Sequence, residues 1–254
     1  HPVAEIRRLR KGRLSSNDTL VTLAMAILGP DYATLDVCRH DFRTARDFGL
    51  LSSAHVWGRA NRLVAGGYRT IAAEGFLGPD HNITHGNYIE DDELRIIVDS
   101  GASVTSTSAI EVSNHVHPPL VGRVQRMGGK PSIGVDSEVK RKGDMFSEMR
   151  VALQIQRLFA NMEMVRQIEA AQDSEAAKYA RENLSAIGTG GSLIKEQAFK
   201  TRDALEWATV NNAKAMLLDS RIGSLTPGKQ ADLIMIGLDG LQLLSSQDPV
   251  QTVV

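Results

Sequence analysis

Cysteine is nearly missing from this sequence. Cys38 is the single one in 254 residues, so no disulfide can close within the chain and no cysteine-based zinc site can be built. That usage suits a reducing compartment, and the expected location is cytoplasmic. A charge excess is also missing: 29 Lys and Arg stand against 30 Asp and Glu, for a net charge of −1. Nucleic acid is not an expected partner, because its phosphates call for a basic surplus. No apolar run approaches the roughly 18 residues that suggest a membrane-spanning helix, and no membrane association is expected. His1 to Arg13 is basic but lacks the apolar stretch of a signal peptide. The first residue is not Met, and the last residues lie inside the apolar run Thr252-Val253-Val254. Both ends therefore read as cut from a longer protein.

Five short apolar runs stand out. They are Leu20 to Leu28, Leu50 to Val56, Asn82 to Thr84 ending at His85, Ala102 to Thr107, and Pro131 to Val135 ending at Asp136. Each is followed by a loop and then a helical pattern, and the spacing suits strand-plus-helix units. Helices are expected over Leu35 to Phe48, closed by Gly49, and over Val56 to Glu74, interrupted at Gly66-Gly67. Others are expected over Glu90 to Val98, Leu120 to Met127, Asp144 to about Ile168, and onward from Thr201. Asp173 to Lys195 reads as a helix end and loops, with Gly188 to Ser192 a flexible loop and not a phosphate-binding one. The tail differs. Gly223 to Lys229 is turn chemistry, and Ala231 to Ile236 reads as the opening strand of a small β-rich module. Repeated strand–helix alternation implies an α/β fold with a parallel sheet under helices, either a closed barrel or an open doubly wound sheet.

His55 lies near the end of the second run, His85 ends the third and Asp136 ends the fifth. In a parallel α/β barrel all strands end at the same rim, so these three residues would converge there. Two imidazoles and a carboxylate begin a catalytic zinc or iron(II) site. Each residue alone also has a structural reading, a core histidine or a helix-capping aspartate. His40 is expected on a helix and His81 in a loop. His115 and His117, before Pro118-Pro119, read as a loop that either faces the pocket or is solvated. Arg59 and Arg62 read as helix surface.

The segment Thr84-His85-Gly86-Asn87-Tyr88-Ile89-Glu90-Asp91-Asp92-Glu93 resembles the stretch after barrel strand six in the amidohydrolase superfamily. The nearest branch holds cytosine deaminases, guanine deaminases and triazine hydrolases. Ser113-Asn114 resembles its S-N pair after strand seven, and Gly134-Val135-Asp136-Ser137 its G-T-D-S segment ending strand eight. The helix Asp144 to Arg150, the segment Ala204 to Thr209 and the string Gly223-Ser224-Leu225-Thr226-Pro227-Gly228-Lys229-Gln230-Ala231-Asp232-Leu233 resemble the branch as well. The resemblance implies a TIM-type (β/α)8 barrel whose strands four to eight are the five runs. Residues 1–218 would be part of that barrel and 219–254 the start of a composite β-sandwich. It implies that His55 binds a divalent metal, zinc first and iron second. It implies that Asp136 binds the metal and takes a proton from water, and that His85 contacts the substrate or the attacking water. Asn114 and Trp57 are the expected substrate contacts, although Trp57 also suits packing under a loop. The expected activity is hydrolysis of a C–N bond in a small, N-heterocyclic or amide substrate. A homo-oligomer is compatible with the resemblance.

Two features of that family have no counterpart here. No H-x-H precedes the first run: in a fragment the two missing metal ligands would lie on the absent part, and in a complete chain a two-ligand site would bind metal poorly and would not support catalysis. Many deaminases carry a proton-shuttling glutamate three residues after the strand-five histidine, where this chain has Gly58. Glu138 is a candidate replacement, or a solvated residue at a helix start. Loss of the shuttle motivates an alternative, a non-catalytic relative that keeps the pocket and binds ligand. An open nucleotide-binding sheet ranks last, because Leu28-Gly29-Pro30-Asp31 is no glycine-rich fingerprint. With half a barrel, the sheet is expected to expose strand edges.

Overall fold

The computed structural model describes residues 3–56, 62–139, 143–170, 174–175, 178–179, 182, 184–187, 191–194, 196–237 and 248–254. Its centre is a five-stranded sheet of β1 (Ala24–Ile27), β2 (Leu51–Val56), β3 (His81–His85), β4 (Ser103–Ser106) and β5 (Ser132–Ile133). All four neighbouring pairs are parallel and the order follows the chain. A doubly wound sheet reverses its order at a switch point. No reversal occurs among the described strands, which is the pattern of a barrel arc. In the described sheet, β1 and β5 each pair on one side only.

The helices are α1 (Val3–Arg10), α2 (Gly29–Tyr32), α3 (Leu35–Asp47), α4 (Gly67–Ala73), α5 (Asp91–Asp99) and α6 (Ser108–Asn114). They continue with α7 (Val121–Arg126), α8 (Met145–Ala170), α9 (Thr201–Ala208), α10 (Val210–Ala215) and α11 (Pro249–Val253). Strand alternation sorts the two faces of the sheet. Ala54, Val56, Ile83 and Val104 are buried in one cluster with Phe42, Tyr68, Ile71, Leu94, Ile97 and Val124 of the helical layer. The opposite face is polar. Thr105 Oγ1 donates to Asn82 Oδ1 at 2.7 Å and lies 2.7 Å from Ser132 Oγ, while Asn82 Nδ2 donates to Ser53 Oγ at 3.1 Å. Side-chain hydrogen bonds thus cross β2, β3, β4 and β5 on the inner face. A second cluster joins Val121, Ile133, Met149, Leu153, Phe199, Trp207 and Val254. The chain's last residue packs there, and its carbonyl accepts from Arg150 Nε at 2.9 Å.

Parts of the fold depart from the sequence pattern. Helix α4 begins only at Gly67, because Gly66 has φ +63, a left-handed conformation that L side chains rarely adopt and that stops a helix running through it. Arg62 is not surface. It is nearly buried, with Nε 3.2 Å from Asp31 Oδ1 and Nη1 2.5 Å from Glu93 Oε2, and those two carboxylates compensate its charge. Arg59 lies outside the described residues. Residues 184–194 are not all loop: β6 (Leu184–Ile187) and β7 (Gly191–Ile194) pair antiparallel. In the sequence, two tetrads that mix aliphatic with small residues flank Gly188-Thr189-Gly190, a weak hairpin signal. The expected strand over Ala231 to Ile236 is not formed; among the described residues of 219–237 there is none, and Leu233, Ile234 and Met235 are exposed. No described helix is long and apolar enough to cross a membrane.

His81 is no loop residue either. It opens β3, fully buried, with Nδ1 2.9 Å from Ser52 Oγ and its ring 4.8 Å from that of Phe42. Burial pushes the imidazole down to about 3. The unfolded chain therefore binds a proton near pH 6.5 that the native state refuses, so stability is lost as pH falls below that value. Between about pH 7 and pH 5, denaturant titrations should show His81 costing roughly 2 kcal/mol. His81→Phe is expected to flatten that slope; an unchanged slope would contradict the assignment.

Candidate active site

His55 is the penultimate residue of β2, His85 is the last of β3, and Asp136 follows β5 by three residues. Alternation would put His85 on the helix-facing side, since it pairs in register with Val56 while His55 pairs with Thr84. The backbone overrides alternation. His85 has φ +69, which ends the strand and turns the ring so that its centroid lies 5.4 Å from that of His55. Asp136 has φ +58, and its Oδ2 lies 4.0 Å from His85 Nε2. Left-handed backbone at a non-glycine residue is uncommon and costs on the order of 1–3 kcal/mol. Of the three non-glycine residues that adopt it among those described, two are at this site. The structure thus brings His55, His85 and Asp136 to one rim. Partial burial, and then the neighbouring His85, lower the His55 pKa against an opposing pull from Asp136.

Behind His85 lies a residue that sequence reasoning missed. Glu111 is fully buried on α6. Its Oε1 is 3.1 Å from His85 Nδ1 and accepts from the Thr107 backbone N–H at 2.8 Å. Its Oε2 accepts from Ser106 Oγ at 2.6 Å and from Asn87 Nδ2 at 3.4 Å. Burial by itself would raise this carboxyl; His85, Ser106 and Thr107 outweigh it and hold the pKa below the usual value. The one signal in the sequence is an acidic residue just past a strand end, which ordinarily reads as exposed.

Of the two loop histidines, the structure turns His115 inward. Its ring lies 5.5 Å from His85 and 5.8 Å from Tyr88, and Tyr88 lies 4.7 Å from His117. Burial, then His85, lower the His115 pKa. Asn114 ends α6 beside it and is exposed. Trp57 and Gly58 lie outside the described residues. Glu138 is exposed, and its side chain lies against Gly143. His40 lies on helix α3, as expected, and is exposed.

A second missed carboxyl, Glu148 of α8, is buried under the first turn of α6 and accepts from the Ala109 N–H at 3.3 Å. Burial raises it to about 7, and the charge on Glu111 adds to the rise.

No group of three or more His, Cys, Asp or Glu among the described residues is placed to hold a metal ion. The chemistry of the donors nonetheless fits part of a divalent site. His55 is biased toward its neutral, ligating form, and Asp136 supplies an oxygen at the same rim. Catalytic zinc sites use three protein ligands, so these two residues supply only part of a set.

The amidohydrolase family profile matches residues 1–254. The chain belongs to the amidohydrolase family. It is 27% identical over 190 residues to an 8-oxoguanine deaminase of Pseudomonas aeruginosa, covering 72% of this chain and 34% of that protein. It is 26% identical over 187 residues to a 5-methylthioadenosine/S-adenosylhomocysteine deaminase of Teredinibacter turnerae, with the same two coverages, 72% and 34%. Among solved structures, a zinc-bound adenosine deaminase from Xanthomonas campestris superposes with TM-score 0.75 at 19% identity, over 98% of this chain and 51% of that one. A zinc complex of atrazine chlorohydrolase from Arthrobacter aurescens gives TM-score 0.73 at 16% identity, over 99% and 50%. The chain spans about a third of the length of these curated relatives and about half that of these solved chains. The fold is that of a (β/α)8 barrel, and the five parallel strands are an arc of it.

The Glu148 carboxyl gives a prediction of opposite sign to His81. Its folded pKa is raised, so stability is intact below about pH 4.5 and declines as pH rises toward about 7. Glu148→Gln should remove that decline and stabilise the protein near pH 8 by on the order of 1–3 kcal/mol in chemical denaturation. A variant less stable at pH 8 than the parent would show that the ionised carboxyl is needed there.

Proposed function

We propose that this chain carries the later part of the active site of a metal-dependent hydrolase that cleaves a C–N bond, by deamination or by amide or amine hydrolysis. The substrate class is small N-heterocycles bearing an amino or amide group. The observation that carries this reading is the meeting of His55, His85 and Asp136, 81 positions apart at the extremes, on one rim of a parallel sheet. The curated deaminase relatives support the heterocyclic substrate class. The zinc-bound neighbours support zinc ahead of iron.

In this reading His55 and Asp136 hold the cation together with ligands outside this sequence. The cation would lower the pKa of a bound water and polarise the substrate. Asp136 takes the proton from water. His85 turns Nε2 toward the reacting centre and steadies charge on the substrate or aligns the nucleophile. Trp57 stacks on the ring and Asn114 contacts the substrate. Residues 1–218 belong to the barrel and 219–254 begin the β-sandwich, where Leu233, Ile234 and Met235 expose apolar surface that a partner sheet would cover. A cytoplasmic location fits the lone Cys38, whose thiol is buried and pushed up to about 11. A specific observation keeps the non-catalytic alternative in view: Gly58 occupies the shuttle position, and Glu138 is turned to Gly143.

The test uses the full-length protein, with metal content measured by plasma mass spectrometry and ammonia release followed over aminopurines, aminopyrimidines and aminotriazines. His55→Ala and Asp136→Ala are expected to lose stoichiometric metal, and His85→Asn to keep metal but lose about 10²–10⁴ in kcat. Full metal in both alanine variants rejects the ligand assignment. Release of ammonia by the parent protein eliminates the non-catalytic alternative.

A further inference from the structure

We infer that Glu111 is a positioning residue that fixes the tautomer of His85, keeping the proton on Nδ1 and turning Nε2 toward the reacting centre. The inference rests on the proposed role of His85 and adds to it the residue that sets the ring's chemistry.

Glu111 Oε1 already accepts from the Thr107 N–H at 2.8 Å, and Oε2 accepts from Ser106 Oγ at a short 2.6 Å. An ionised carboxylate is an acceptor only. The 3.1 Å approach of His85 Nδ1 to Oε1 is therefore attractive only when Nδ1 carries hydrogen. Thr107 Oγ1 lies 3.1 Å from the same nitrogen. A threonine hydroxyl donating to Nδ1 would require a bare ring nitrogen facing a carboxylate, lone pair against lone pair. The arrangement that satisfies all these atoms has one Nδ1–H shared between Glu111 and Thr107.

Nε2 then follows. It lies 4.0 Å from Asp136 Oδ2 on the open side of the ring. In the neutral ring it presents a lone pair, which accepts a hydrogen bond from the nucleophile or from a substrate N–H. The opposite tautomer would present N–H and only donate. Partners behind a functional histidine commonly set its tautomer and orientation in this way. Glu111 also restrains the strained backbone. One carboxylate ties the end of β3 through His85 and Asn87 to the end of β4 through Ser106 and Thr107. Asn87 Nδ2 extends the tie to the His117 carbonyl at 3.2 Å. Glu111 is fully buried behind the ring, so it touches neither substrate nor reacting atoms.

The test is long-range ¹H–¹⁵N correlation spectroscopy of histidine-labelled full-length protein as purified, at alkaline pH. The spectrum of His85→Gln assigns the signals. The expected result is a protonated Nδ1 and an unprotonated Nε2 for His85. In Glu111→Gln, which keeps shape and removes charge, that preference is expected to be lost or reversed, with kcat down about 10- to 100-fold and KM little changed. A protonated Nε2 in the parent protein overturns the inference, and so does an unchanged tautomer in Glu111→Gln. The parent spectrum decides even if the variant fails to fold. Neither spectrum needs turnover, so a protein that hydrolyses nothing but shows the expected tautomers rejects the hydrolase reading and keeps this one.

Discussion

Parallel pairing in chain order has one geometric consequence on which everything else in this structure depends: each strand delivers its carboxyl end to the same edge of the sheet. Residues separated by dozens of positions then share a rim without any contact that recruits them individually. His55, His85 and Asp136 come from β2, β3 and the segment after β5. The apolar face of the sheet, buried under α3, α4, α5 and α7, holds the strands in register. The inner face is tied laterally by the Ser53, Asn82, Thr105 and Ser132 side chains. Such cross-strand polar pairs fix register as well as adding stability. The scaffold below the rim is thus determined from both faces.

The rim itself departs from regular strand geometry. His85 and Asp136 both adopt left-handed backbone, a conformation that histidine and aspartate enter more readily than most residues but that stays uncommon for any side chain. Glu111 compensates at His85 by accepting hydrogen bonds from residues on two strand ends. Glu148 in turn lies under the first turn of the helix that carries Glu111. Support therefore passes from α8 to α6 to the ring. Strain at the outer layer and buried carboxylates beneath it are the arrangement expected where side-chain geometry is held for chemistry.

Much of the scaffold was legible in the sequence, because apolar runs punctuated by Gly, Pro and Asp report a strand–helix repeat directly. The strand-end placement of His55, His85 and Asp136 was legible for the same reason. What could not be read depended on tertiary partners. Glu111, Glu148 and Arg62 are charged residues, and charge in a sequence signals exposure; only the folded chain supplies the donors and counter-charges that bury them. His81 looked like a loop residue because its run was apolar only from Ile83, yet Ser52 and the Phe42 ring make a place for it in the core. His115 was read either way, and its approach to His85 depends on where α6 ends. The hairpin at β6 and β7 hid inside a polar stretch.

The proposed site requires His55 and Asp136 to share a cation at this rim. Anomalous diffraction at the zinc edge from crystals of the zinc-loaded full-length protein would locate that cation. The expected peak lies about 2.0–2.2 Å from a ring nitrogen of His55 and from a carboxylate oxygen of Asp136. A fully occupied peak elsewhere in the molecule, with both side chains outside its coordination shell, would rule the shared site out.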